Sequence, residues 1–180
     1  MPIWLFYFVE RVNINIKKNM TIAILSDIHD NIWKLEDGLK HCADADHLIF
    51  CGDFCSPFSL EQMGRNFSNS IHAVFGNNDG DRFLLTKVAN KFPHFNLYGE
   101  IAKIEIAGLK MVINHYPDIA YEIAENTNYD VVFYGHNHKM DIKRIKDTQV
   151  INPGEIMGRF GKSTIVLMNC LTRKTRVIEF

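Results

Sequence analysis

Ile22-Ala23-Ile24-Leu25 is followed by Ser26-Asp27-Ile28-His29-Asp30-Asn31, and then by a segment in which Ile32, Leu35, Leu39 and Cys42 recur. The first run is apolar and uncharged, as expected of a central strand buried on both faces. Steps of three and four place the four recurring residues on one helical face, with Lys34, Glu36, Asp37 and Lys40 between them. Asn31 suits the helix N-cap, because its side-chain oxygen can accept from a free first-turn N–H. The unit reads as strand, polar loop, helix.

Four more strand-like runs end the same way. Leu48-Ile49-Phe50 leads to Gly52-Asp53, and residues 71–75 lead to Gly76-Asn77-Asn78-Asp79. Met111-Val112-Ile113 leads to Asn114-His115. Val131-Val132-Phe133-Tyr134 leads to Gly135-His136-Asn137-His138. One His-x-His pair alone says little, since a surface loop can carry it by chance. Five strand ends that all deliver carboxylate, amide or imidazole groups say more. Loops at strand carboxyl ends share one edge of an α/β sheet, where such folds place their active sites.

Between these units, Ser56-Pro57 reads as a cap and first-turn proline opening a short helix toward Gly64. Residues 82–89 read as a helix with Phe83, Leu84 and Val88 on one face, ended by Pro93. Residues 101–106 alternate and turn through Ala107-Gly108 into 109–113, a hairpin. A helix over about 118–126 is expected to turn Ile119, Tyr121 and Ile123 inward. Segments 140–145, 149–152, 164–168 and 175–178 read as an antiparallel meander. The early β-α alternation and later hairpins predict an α/β protein with two packed sheets flanked by helices. No repeat, linker or low-complexity tract interrupts 20–180, so a single domain is expected there.

With 180 residues, 47% of them hydrophobic, and a mean hydropathy of -0.10, the chain is long enough for a real core. A net charge of -1 and a pI near 6.7 argue against a bulk basic surface for nucleic acid, and no local basic track is evident. Cys51 and Cys55 have no second pair at zinc-binding spacing, so the four cysteines read as reduced thiols of a cytoplasmic protein. The apolar stretch from Trp4 to Val9 falls well below the ~20 residues that span a bilayer. It also lacks the basic start and cleavage site of a secretory signal. Residues 1–19 are read as an N-terminal extension, either an upstream start or an oligomer contact of a homo-oligomer, with Met20 opening the domain.

Asp27, His29, Asp53, Asn77, His115, His136 and His138 form a mixed oxygen and imidazole set. It suits Mn²⁺, Fe²⁺, Zn²⁺ or similar ions rather than calcium or a thiolate-bound metal. Seven ligands exceed one tetrahedral ion and suit two that share a carboxylate. At a separation of ~3.5–4 Å, two ions bind both attacking and leaving oxygens and acidify water.

In order, Asp27-Ile28-His29, Gly52-Asp53, Gly76-Asn77-Asn78-Asp79, His115 and Gly135-His136-Asn137-His138 resemble the signature blocks of calcineurin-like metallophosphoesterases. The small size and Asn152-Pro153-Gly154 are most similar to the compact prokaryotic YfcE-type phosphodiesterases. The resemblance runs from Thr21 to about Phe180. It implies a four-layer αββα sandwich whose two mixed β-sheets are flanked by helices. It also implies two divalent ions, Mn²⁺ foremost, with Fe²⁺, Zn²⁺, Ni²⁺ or Mg²⁺ as alternatives. The first would be held by Asp27, His29, Asp53 and His138, the second by Asp53, Asn77, His115 and His136, with Asp53 bridging. The implied chemistry is phosphoester hydrolysis by in-line attack of a metal-held hydroxide on a small-molecule substrate.

Departures from the family pattern carry information too. Asn78 stands where many members have a histidine that helps the leaving group depart. An amide cannot act as a general acid, so good leaving groups such as aryl phosphodiesters should be favoured. Asn77, Asn78 and His115 are the candidate substrate contacts. Asp79 is expected behind the ligands, orienting an imidazole. Asp30 replaces a common glycine in a loop where a left-handed backbone is tolerable for Asp. Tyr116 offers an aromatic wall, and Glu155 would repel an anionic substrate if it pointed inward. Two other readings are a non-catalytic, metal-binding scaffold like the retromer subunit of similar fold, and a nuclease. The undamaged ligand set disfavours the first, and the absent basic track disfavours the second.

Overall fold

The computed structural model describes residues 20–180; the expectations attached to residues 1–19 lie outside the described residues. In chain order the elements are β1 (Thr21–Leu25), α1 (Ile32–Lys40), β2 (His47–Phe50), α2 (Pro57–Asn66), β3 (Ser70–Ala73) and α3 (Arg82–Ala89). They continue with β4 (Phe95–Leu97), β5 (Ala102–Ile106), β6 (Leu109–Ile113), α4 (Pro117–Asn126) and β7 (Val131–Phe133). The last four strands are β8 (Asp141–Ile145), β9 (Thr148–Asn152), β10 (Thr164–Asn169) and β11 (Thr175–Glu179).

Six strands form one sheet in the order β11-β10-β1-β2-β3-β4, and five form the other in the order β5-β6-β7-β9-β8. β1 to β4 are parallel; on the β1 side β10 pairs antiparallel with β1, and β11 antiparallel with β10. In the second sheet β6, β7 and β9 are parallel, edged by antiparallel β5 and β8. Both sheets are therefore mixed, as expected.

The alternation of each strand decides the layers. Ile22, Ile24, Ile49, Val166 and Met168 face between the sheets, where they meet Met111, Ile113, Val131, Phe133 and Ile151. The intervening Ala23, Leu25, Leu48, Phe50 and Ile71 face outward onto Leu35, Leu39, Leu60, Met63, Leu85 and Val88 from α1, α2 and α3. On the far side, Val112, Val132, Tyr134 and Val150 pack on Ala120 and Ala124 of α4. Three helices, sheet, sheet, helix is the four-layer αββα order. At about 25 cal/mol per Å² of apolar surface, both the layer between the sheets and the layer under the three helices stabilise the fold.

Several local expectations are corrected. The four late strands are not one meander. β8 and β9 make a hairpin in the second sheet, whereas β10 and β11 make one in the first. Between them the chain crosses over, tied by Ile156 N–H to Ser26 O (3.0 Å) and Met157 N–H to Asp27 O (3.0 Å). The apolar core of β10 fits its inner place between β1 and β11. β4, three residues long with only Phe95 buried, gave too weak an alternation to be seen in the sequence. In α3 the buried face is Leu85, Val88 and Ala89, while Phe83 is 74% exposed. In α4 the small Ala120 and Ala124 face inward and Ile119 lies outward, because the close approach to β7 and β9 favours small side chains. Among the described residues, no helix is long and apolar enough to cross a membrane.

Candidate metal centre

All five loops singled out in the sequence meet at the carboxyl ends of β1, β2, β3, β6 and β7. Their backbone is unusual. Asp27 (φ 56°), His29 (45°), Asp53 (65°), His136 (73°) and His138 (59°) all adopt the left-handed region. Non-glycine residues held there store of order 1–3 kcal/mol each, and persist only where the surroundings over-determine them. Five of the seven candidate ligands are in that state, which marks a site whose geometry is held against local preference.

Asp27, His29 and His138 form a first group. His29 Nε2 lies 3.6 Å and His138 Nε2 3.5 Å from Asp27 Oδ1, and the two imidazoles stack at 4.9 Å. Asp27 Oδ2 accepts the backbone N–H of His136 (3.1 Å), which leaves Oδ1 facing the imidazoles. Asp27 Oδ1 and His29 Nε2 are buried and have no hydrogen-bond partner. Buried polar atoms are nearly always paired, so two orphans facing each other mark a place for a missing partner. Four ligands at ~2.1 Å from a tetrahedral ion stand ~3.4 Å apart, close to the spacing seen here.

The second group gathers around Asn77. Its Oδ1 lies 3.0 Å from His115 Nε2 and 2.8 Å from His136 Nδ1. His115 is fully buried, and its Nδ1 donates to Cys51 O (2.7 Å), turning Nε2 into the site. Asp53 joins the groups: its Oδ2 is 3.4 Å from His29 Nε2 and 3.4 Å from His115 Nε2. Asp27, Asp53 and His115 also lie close enough to share one cation.

The electrostatics agree with a cation-seeking site. At His29 burial opposes the charged ring, yet Asp27, Cys55 and the charge of Asp53 outweigh it and raise its pKa to about 10. Burial opposes charge on His115 too, and Asp53 more than offsets it, so that pKa is also raised. At Asp53 burial alone would favour the neutral acid, but His115 and Asn78 pull the carboxyl well below the usual range. The field holds positive charge at His29 and His115, and a bound dication would supply that charge directly.

Surrounding residues brace these ligands, not always as the sequence implied. Asp79 does not orient an imidazole. It accepts the backbone N–H groups of Asp53 (3.1 Å), Cys55 (2.9 Å) and Gly76 (2.6 Å), tying the loop after β2 to the loop after β3. Asn78 lies on Asp53, donating to both carboxylate oxygens. Asp30 has φ 60°, and its carboxylate accepts Ser56 N–H, Ser56 Oγ–H and Ser59 Oγ–H. It thus caps α2 in place of Ser56, whose own side chain caps nothing. Asn152 donates to Gly135 O and Asn137 Oδ1, supporting the His136 loop from below. Tyr116 stands against His115 and His136 at 5.2 and 5.3 Å, the aromatic wall expected. Glu155 is buried and does not face the substrate side; it contacts His138 Nδ1 at 2.7 Å. Its place just after Asn152-Pro153-Gly154 was the available clue. All four cysteines are free; Cys55 Sγ lies 3.5 Å from His29 Nδ1 and the other three are buried.

Residues 20–173 match the calcineurin-like phosphoesterase superfamily domain. The chain belongs to that family. Membership implies divalent metal ions, and the Asp and His groups described above fit them. The phosphodiesterase MJ0936 of Methanocaldococcus jannaschii is 34% identical over 164 residues, covering 88% of this chain and 98% of that protein. A solved archaeal phosphodiesterase superposes with a TM-score of 0.83 at 32% identity, covering 89% of this chain and all of that one. YfcE, a phosphoesterase from E. coli, matches with a TM-score of 0.64 at 17% identity over 88% of this chain and 98% of its own. Vacuolar protein sorting 29 from Cryptosporidium parvum matches with a TM-score of 0.63 at 16% identity over 90% and 97%. The last two likenesses are likenesses of fold.

Proposed function

We propose that this calcineurin-like phosphoesterase hydrolyses small-molecule phosphodiesters with two divalent cations, Mn²⁺ foremost. The observation that carries the reading is the position of Asp53 Oδ2, 3.4 Å from an imidazole nitrogen of each group. One carboxylate between two donor sets suits two ions that share it. Asp27, His29 and His138 would hold one ion; Asn77, His115 and His136 would hold the other. When bound, such ions supply positive charge for the phosphoryl oxygens and lower the pKa of water.

The chain's own residues do the rest. Asn78 steadies the shared carboxylate, Asp79 locks the two loops that present Asp53 and Asn77, and Tyr116 bounds the pocket beside His136. Asn77, Asn78 and His115 are the proposed contacts for substrate oxygens. Asn78 has no proton to give a departing alkoxide, so diesters with good leaving groups such as aryl esters are favoured. Similarity to a named phosphodiesterase supports this substrate class. A cytoplasmic setting goes with four free thiols.

Purified full-length protein supplied with Mn²⁺ should hydrolyse a bis-aryl phosphate, and Asp53→Ala and His136→Ala should each abolish it. Hydrolysis retained in both variants rejects the assignment.

A further inference from the structure

Glu155 is 1% exposed, yet both of its carboxylate oxygens are engaged in different directions. Oε2 lies 2.7 Å from His138 Nδ1. Oε1 accepts the backbone N–H of Phe160 (2.6 Å) and of Gly161 (3.1 Å). Its own segment is sewn to the Asp27 loop through the Ile156 and Met157 amides, so its position is fixed from both sides. The exposed Phe160 ring then meets His138 edge-on, with centroids 5.1 Å apart at 89°. The Glu155 carboxylate and the edge-on Phe160 ring therefore decide how His138 is presented.

A carboxylate only accepts hydrogen bonds, so His138 must donate from Nδ1. The proton held there leaves a lone pair on Nε2, the atom that faces Asp27 Oδ1 at 3.5 Å. A metal-binding imidazole needs such a partner on its other nitrogen. We propose that Glu155 is a positioning residue that fixes the tautomer of His138 and so makes its Nε2 available to a cation. The inference rests on the metal-binding part of the proposed function and not on the identity of the substrate.

Glu155→Gln separates shape from chemistry. Only an oxygen can accept from Phe160 and Gly161, so the amide oxygen must occupy that end. The NH₂ group then faces His138 Nδ1, which has to accept, and the proton moves to Nε2, where it blocks the cation. Two measurements on the full chain read this. Calorimetric titration with Mn²⁺ should show binding weakened about 10- to 100-fold relative to wild type. In the metal-free protein, ¹⁵N shifts of His138 should change from Nδ1-protonated in wild type to Nε2-protonated in the variant. A folded Glu155→Gln protein with unchanged Mn²⁺ affinity, or with an unchanged tautomer, overturns the proposal. Should the variant not fold, the wild-type spectrum decides alone, because an Nε2-protonated neutral His138 contradicts it. A chain that binds Mn²⁺ but hydrolyses no phosphoester would remove the enzymatic reading and leave this test intact.

Discussion

Asn78 clasps the Asp53 carboxylate at both oxygens: its backbone N–H reaches Oδ1 at 2.8 Å and its side-chain amide reaches Oδ2 at 2.8 Å. Asn78→Ala keeps the first bond and removes the second. Mn²⁺ affinity and turnover should both fall about 10-fold, as for loss of a group that orients a ligand. Asn78→Asp should do worse, because it sets a like charge against Asp53. Calorimetry with Mn²⁺, followed by bis-aryl phosphate assays, checks both; an unchanged affinity in Asn78→Ala contradicts the clasp.

Asp79 receives three backbone N–H groups in a buried position. Asp79→Ala strands those donors, and each buried unpaired donor costs ~1–3 kcal/mol. Urea unfolding should show a loss of stability of several kcal/mol, on the order of 3 or more. A variant within 1 kcal/mol or so of wild type would mean that the two loops do not depend on this carboxylate.

A Cβ at Gly135 would lie 2.0 Å from Ser26 Oγ and 2.7 Å from Asp27 Oδ2, both fully buried. Asp27 Oδ2 cannot give way without breaking its bond from the His136 N–H. Gly135→Ala should therefore weaken Mn²⁺ binding and lower Tm, and adding Ser26→Ala should restore part of both. No improvement in the double variant would place the damage elsewhere.

Burial, with His47 adding to it, lowers the pKa of His72 from 6.5 to about 4. Its Nε2 lies 3.2 Å from His47 Nδ1 and its Nδ1 2.9 Å from the Tyr98 hydroxyl. Between pH 6.5 and about 4 the unfolded chain binds more protons at this position than the folded one. Stability must therefore fall as pH drops through that window and be insensitive to this group above it. Unfolding free energies at several pH values should show a shallower acid slope in His72→Phe than in wild type. Identical slopes would show that His72 titrates alike in both states.

The strand-end ligands were legible because each follows an apolar run of the right length, although the expected single sheet edge is in fact shared by two sheets, β1, β2 and β3 of one and β6 and β7 of the other. Two packed sheets flanked by helices were legible from the change from β-α alternation to hairpins. The αββα order came from the family resemblance, because Ile22-Ala23-Ile24-Leu25 is apolar throughout and does not say which side faces the helices. What escaped was geometry that residue type does not encode. Nothing in the letters says that His29 or His138 adopts a positive φ, because only the finished loops impose it. Glu155 and Asp30 were noticed as oddities, but their partners, His138 and Ser56, are 17 and 26 residues away and were invisible. The assignment of β10 to the first sheet failed similarly: alternation gives a strand its faces but not its neighbours.

Anomalous scattering from crystals grown with Mn²⁺ would test the shared-carboxylate arrangement at the atoms involved. Two peaks ~3.5–4 Å apart should flank Asp53 Oδ2, one among Asp27, His29 and His138 and the other among Asn77, His115 and His136. A single fully occupied peak, or two peaks that Asp53 does not contact, would contradict it.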